Sequence, residues 1–141
     1  FHETKEVEFN PIIKELVEDF QEIYEHKKLH VEVEENAACK VHMNESLANI
    51  LITNLLKNAM IHTPNEGSIT IRVQSTGITF TNSTDGPSLD QSRLFTRFYQ
   101  ADNKKSDSTG LGLAIIQSIV HLYHFHISYS FDGKHRFDLR F

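Results

Sequence analysis

The sequence predicts an α+β fold, a two-layer sandwich in which a mixed, mostly antiparallel sheet is covered on one face by three helices. Three long segments, around residues 10–26, 44–63 and 111–123, carry apolar residues at helical spacing. Between and after them, short stretches alternate polar and apolar residues and are joined by turn-forming residues, the pattern of strands with one buried face. Helices and strands that are each apolar on one side must bury those sides against one another, and two layers achieve this.

Taken in order, Glu6 to Phe9 alternates and is predicted as a short strand. Asn10-Pro11 then supplies an N-cap and a proline in the first helical position, and Ile12, Ile13, Leu16, Val17, Phe20, Ile23 and Tyr24 continue one helix to about His26. His30 to Glu34 alternates again, and Lys40 to Met43 is a second brief extended piece. Asn44 is expected to cap the second helix, NESLANILITNLLKNAMIHT. After the turn Pro64-Asn65-Glu66-Gly67, the strand Ser68 to Gln74 places Ile69, Ile71 and Val73 on one face. Ser75-Thr76-Gly77 turns it into an antiparallel neighbour, Ile78 to Asn82. Ser83 to Leu89 is small and polar, and Leu89 to Phe98 is expected as a brief helix. Gln100 to Ser108 contains no apolar residue but Ala101, so a surface loop is expected there. Leu111 to Tyr123 is the third helix, with Leu113, Ile116, Val120 and Tyr123 facing the core. A final hairpin pairs Ile127 to Phe131 with His135 to Phe141 through the turn Asp132-Gly133.

A chain of 141 residues is the size of one domain and buries a core without staples. The formal net charge is -5 with both signs interspersed, so no basic stripe exists to neutralise a nucleic-acid backbone, and no nucleic-acid partner is expected. The lone cysteine, Cys39, cannot form an internal disulfide, which fits a reducing, cytoplasmic compartment. No apolar run reaches the ~18 residues of a membrane span, and the start, FHETKEVEF, is no signal peptide.

Two stretches carry the chemistry. On a helix of 3.6 residues per turn, Leu47, Ile50, Leu51, Asn54, Asn58 and Ile61 share a face, which places two amides in an apolar stripe. A buried amide without partners costs about 1–3 kcal/mol, so either a neighbouring loop satisfies the pair or a polar guest does. The second stretch, Ser108-Thr109-Gly110-Leu111-Gly112-Leu113-Ala114-Ile115, is a glycine-bearing turn running into an apolar helix. Such a turn lets backbone N–H groups approach a phosphate at a helix N-terminus. Its spacing is neither a dinucleotide fingerprint nor a Walker loop.

Together, the paired amides, FTRFY at 95–99 and TGLGLAI at 109–115 resemble the N, F and second glycine boxes of the sensor histidine kinases. The resemblance is to their catalytic, ATP-binding domain, of the superfamily that includes gyrase and MutL, and spans residues 5 to 141. It implies ATP and Mg²⁺ as ligands, with Asn58 as the metal-binding amide. Asn54 stands where ATP-hydrolysing relatives carry a glutamate that activates water. An amide is no general base, so phosphate transfer is favoured over hydrolysis. His62 falls where an aromatic or histidine touches the nucleotide, whereas Ile61 replaces a phosphate-contacting Lys or Arg. The family's first glycine box, Asp-x-Gly-x-Gly, is here Asn82-Ser83-Thr84-Asp85-Gly86-Pro87. Asn82 ends a strand as the family's aspartate does and is assigned the adenine contact, with Asp85 as rival; a neutral amide weakens that bond.

Thr109, Gly110, Leu111, Gly112 and Leu113 would present backbone groups to the phosphates, and a simple turn into a helix is the plain alternative. Lys104 and Lys105 either close over the phosphates or are solvated. Phe95 and Phe98 resemble the F box and suit core packing equally, and Gln100 replaces a phosphate-binding arginine. His121, His124 and His126 form an H-x-x-H-x-H run without a Cys or carboxylate, a poor zinc set. His2-Glu3 lacks the helix of a phosphoacceptor site, so the acceptor histidine is expected on a separate dimerisation hairpin. That hairpin and a downstream response regulator are the implied partners, and any membrane anchor of the full-length protein would lie outside this chain. An ATP-hydrolysing relative, a degenerate binding module and an anti-sigma-type serine kinase are the alternatives.

Overall fold

A computed structural model describes residues 3–89 and 110–141. The elements are β1 (Lys5–Glu8), α1 (Phe9–Asp19), α2 (Gln21–His26), β2 (His30–Glu35), β3 (Lys40–Met43) and α3 (Glu45–His62), then β4 (Ser68–Gln74), β5 (Gly77–Ser83), α4 (Gly110–Tyr123), β6 (His126–Phe131) and β7 (Lys134–Arg140). The expected helix over 89–98, with Phe95 and Phe98, and the loop over 100–108 fall largely outside the described residues.

The main sheet has the order β2-β4-β5-β7-β6, with β2 parallel to β4 and the other pairs antiparallel, which is the mixed, mostly antiparallel sheet expected. Register aligns three inward rows across it. Val31, Ile69, Asn82, His135 and Phe131 form the first row, and Val33, Ile71, Phe80, Phe137 and Tyr129 the second; the third contains Val73, Ile78, Leu139 and Ile127. The helices cover this face, and Ile69, Ile71, Val73, Ile78, Phe80, Phe137 and Leu139 are buried beneath them. Alternation sends Glu34, Arg72, Thr79 and Asp138 to the opposite face, where Arg72 pairs with Glu34 at 2.9 Å and Thr79 donates to Asp138 at 3.0 Å. The hairpin turn needs a left-handed residue, and Gly133 provides it with φ 72°.

β1 and β3 form a separate antiparallel ribbon, which the strand pattern alone does not distinguish from the main sheet. Phe9, expected to end β1, instead opens α1, where its ring stacks on Phe141 at 4.9 Å. Nor is Asn10 the helix cap: Glu8 holds that position without a side-chain bond. The Asn10 carboxamide is drawn into the β2–β3 connection instead, where it accepts from the Cys39 N–H at 2.9 Å and donates to Glu35 and the Ala37 carbonyl, both at 3.0 Å. The single helix expected over 10–26 is two, because Phe20 leaves helical geometry (φ -93°, ψ 6°) while its carbonyl still accepts from Ile23 and Tyr24.

The expected one-sided stripe on α3 is also corrected. Ala48, Leu51, Ile52, Leu55, Leu56 and Ala59 are buried, whereas Ile50 is 37% exposed. The cause is packing on several sides, since α3 lies against the sheet and against both α1 and α4. Asn44 caps it as expected, its side-chain oxygen accepting from the Leu47 N–H at 3.0 Å. At the other end Lys27 donates to the carbonyls of Met60 at 2.7 Å and Thr63 at 2.8 Å, placing a cation on the orphan acceptors of the last turn.

Because Asn10 serves three buried or part-buried partners, Asn10→Ala should destabilise the domain by about 1–3 kcal/mol in urea unfolding. A loss below about 0.5 kcal/mol, the level of an ordinary surface substitution, would contradict that role.

Candidate functional site

The C-terminal half of α3 carries the first group of candidates, and the structure separates its two amides. Asn58 is 1% exposed, and its Oδ1 has no hydrogen-bond donor among the described residues. Asn54, one turn earlier, is half-buried and folds back on its own helix, donating to the Ile50 carbonyl at 2.8 Å. Only Asn58 therefore bears the cost of desolvation that the helical pattern assigns to both. Ile61 is half-buried and Lys57 is exposed, as its side of the helix requires. His62 is half-buried and meets the His135 ring edge-on, with centroids 6.2 Å apart.

Below this half-helix lies the first inward row of the sheet. Asn82 sits between Ile69 and His135 in register, 1% exposed, its Nδ2 donating to the Ser83 carbonyl at 3.2 Å. Asp85 is exposed in the following turn, where Thr84 Oγ1 accepts from the Gly86 N–H at 3.0 Å. The connection into β4 is close by: a Cβ on Gly67 would lie 2.7 Å from Ser83 Oγ, which itself accepts from the Ser68 N–H at 2.8 Å.

Tyr129 and His135 complete this end of the core and are absent from the sequence-based candidates. The Tyr129 hydroxyl accepts from the Leu89 N–H at 2.9 Å and lies 2.7 Å from His135 Nδ1. Burial holds His135 below its ordinary pKa of 6.5. A signal for both was present: each occupies a position of the last hairpin where alternation demands an inward residue, and each carries a polar atom.

The first turn of α4 supplies the third group. Gly110, Leu111, Gly112 and Leu113 occupy it, so their N–H groups are among those without an acceptor in the described part of the helix. Leu113 is 2% exposed and its side chain belongs to the core, which leaves only its backbone for a ligand. Tyr123 is half-buried, not fully buried as expected, because its hydroxyl is needed at the edge, where it accepts from the Asn44 N–H at 3.1 Å. This contact sets the C-terminal end of α4 at the N-terminal end of α3, along which α4 packs. At ~1.5 Å per residue, running α4 back along α3 brings Gly110 about level with Lys57 and Asn58.

Thr109, Lys104, Lys105 and Gln100 lie outside the described residues. His121, His124 and His126 are all exposed, and no group of three potential metal-binding side chains occurs among the described residues. Burial pushes the Cys39 thiol up to about 11, which keeps it protonated and unreactive. No helix among the described residues is long and apolar enough to cross a membrane.

Comparison with known proteins adds to this geometry. The family described as "Histidine kinase-, DNA gyrase B-, and HSP90-like ATPase" matches residues 43–141. The heme sensor protein HssS of Staphylococcus epidermidis is 36% identical over 137 residues, 93% of this chain and 30% of that protein. HssS of Staphylococcus aureus strain Newman is 33% identical over 134 residues, 92% of this chain and 29% of that protein. The chain thus spans about a third of the length of the curated relatives it matches. Among solved structures, the catalytic domain of histidine kinase ThkA superposes with a TM-score of 0.80 at 23% identity, covering 97% of this chain and 93% of that one. ThkA in complex with the response regulator protein TrrA superposes with a TM-score of 0.76 at 20% identity, covering 96% of this chain and 40% of that one. At these identities the structures show the shared fold.

His135 binds its proton less readily folded than unfolded, so the unfolded chain takes up more protons as pH falls through 6.5, and the contribution of neutral His135 to stability is lost below that value. Unfolding free energy should therefore fall less steeply in His135→Gln than in the parent between pH 7.5 and 5.5, as urea titrations at both pH values would measure. Equal slopes would contradict the burial argument.

Proposed function

Because the chain belongs to the histidine kinase, gyrase B and HSP90-like ATPase family, as the ATPase domain of a sensor histidine kinase, we propose that it binds Mg²⁺-ATP between α3 and the first turn of α4 and delivers the γ-phosphate to a histidine on a separate dimerisation hairpin. The single observation that carries this reading is the desolvated oxygen of Asn58, which has no donor among the described residues, on a helix that packs against α4.

The donor set fits a hard cation. A carboxamide oxygen is a normal magnesium ligand, and Asn58 Oδ1 is buried with no donor among the described residues. When bound, Mg²⁺ would withdraw charge from phosphate oxygens. The N–H groups of Gly110 to Leu113 would take further phosphate charge at the positive end of the α4 dipole. Asn82 would accept from the adenine amine through its side-chain oxygen, while Nδ2 stays on Ser83; Asp85 is the rival, reachable only by movement of an exposed turn. His62, half-buried against His135, would offer a ring edge to the nucleotide.

Asn54 decides between transfer and hydrolysis. Its amide nitrogen is committed to Ile50 and has no basic lone pair, so it cannot take a proton from water. Catalysis would rest on positioning and charge neutralisation, as in phosphoryl transfer generally. The ThkA complex supports a response regulator as the next acceptor, that partnership being ThkA's own.

Asn58→Leu removes the buried oxygen that has no donor among the described residues, and should leave the ligand-free domain at least as stable as the parent. It should also abolish the gain of about 2.7 kcal/mol expected from Mg²⁺-ATP at ~100 times its dissociation constant. A parent showing no such gain in a thermal-shift titration would be a binding module without nucleotide. Mixed with the separate hairpin and radiolabelled ATP, the parent should place label on a hairpin histidine. Release of all label as inorganic phosphate would assign the domain to the hydrolases instead.

A further inference from the structure

We propose that Tyr129 and His135 form a latch that positions the segment from Asn82 to Leu89 against the nucleotide, which makes both of them positioning residues for ATP binding. The inference rests on the reading that ATP binds beside Asn58 and Asn82.

The segment needs such a device. After β5 ends at Ser83, the chain runs through a turn whose described hydrogen bond, from the Gly86 N–H to Thr84 Oγ1, is internal to the segment. Among the described residues, the hydrogen bond that ties the far end back to the sheet runs from the Leu89 N–H to the Tyr129 hydroxyl, at 2.9 Å. Leu89 is 6% exposed, so a lost acceptor there would leave a buried donor unsatisfied.

A short contact makes His135 the second half of the latch. Tyr129 accepts from Leu89, and its hydroxyl lies 2.7 Å from His135 Nδ1, within reach to donate its hydrogen there. Nδ1 accepts it only if the ring is neutral with its proton on Nε2. The surroundings favour that state: Phe131 and Tyr129 flank the ring at 5.6 and 5.8 Å, His62 meets it from α3 at 6.2 Å, and Asn82 stands opposite in β5. Among the described residues, these neighbours include no carboxylate to hold an imidazolium. Because His135 pairs with Asn82 across β5 and β7, both ends of the segment are referred to one ring.

Tyr129→Phe should speed hydrogen exchange at the Leu89 amide and weaken Mg²⁺-ATP binding by about tenfold, with exchange in β4 unchanged. In assays with the hairpin, KM for ATP should rise while kcat holds. His135→Gln, which keeps an acceptor for the tyrosine hydroxyl, should retain most of the affinity, and His135→Leu should reproduce the loss. Unchanged Leu89 exchange in Tyr129→Phe would overturn the latch. Faster exchange with parental ATP affinity would overturn its role in positioning. Failure of the parent to bind ATP would refute the nucleotide reading, and the exchange data would still judge the latch.

Discussion

A carboxamide oxygen held out of water, with no donor among the described residues, is the constraint on which this molecule turns. Asn58 occupies a core position on α3, beside Leu55 and Ala59, and the buried Oδ1 makes the domain less stable than an apolar side chain of similar volume would. The rest of the architecture holds it in place. Lys27 closes the C-terminal turn of α3, Asn44 closes the N-terminal turn, and the inward rows of the sheet support the helix from below. Rigidity at both ends lets one amide be aimed without being flexible.

Much of this was legible in the residues. Alternation at Ile69, Ile71 and Val73, and again at Phe137 and Leu139, gives the sheet, because period-2 burial depends on local geometry alone. The cap at Asn44 and the glycine at 133 follow from equally local rules. What a helical wheel does not give is how many neighbours a helix will have. With α1 and α4 on its flanks, α3 buries Leu55 and Leu56 where a single stripe predicts exposure, and leaves Ile50 out. The same limitation misassigns Asn54, whose exposure depends on residues far away in the chain. Asn10 illustrates the competition between local and distant partners: an N-cap by sequence, it is captured by Cys39, nearly thirty residues on.

The polar cluster around His135 was hidden for a different reason. Its members come from α3, β5, β6 and β7, and only strand register brings Asn82 opposite His135 and Phe131 beside it. Box-like motifs are contiguous in sequence and therefore visible. A network whose members join through a tyrosine hydroxyl and a backbone amide is assembled by the fold, and alternation offers only the hint that two inward residues of the last hairpin are polar.

Asn44 has a consequence of another kind. Its side-chain oxygen receives Leu47, its side-chain nitrogen gives to the Glu3 carbonyl at 2.9 Å, and its backbone N–H meets Tyr123. Serine, threonine and aspartate ordinarily exchange with asparagine at a helix start, since all four present an oxygen. Here that freedom is withdrawn. Aspartate has no hydrogen to offer Glu3, and the hydroxyl residues have only one short arm for two tasks on opposite sides. Interchangeable by the rules of isolated helices, this position has become a three-way joint at which the asparagine amide supplies an acceptor to its own helix and a donor to the chain before β1.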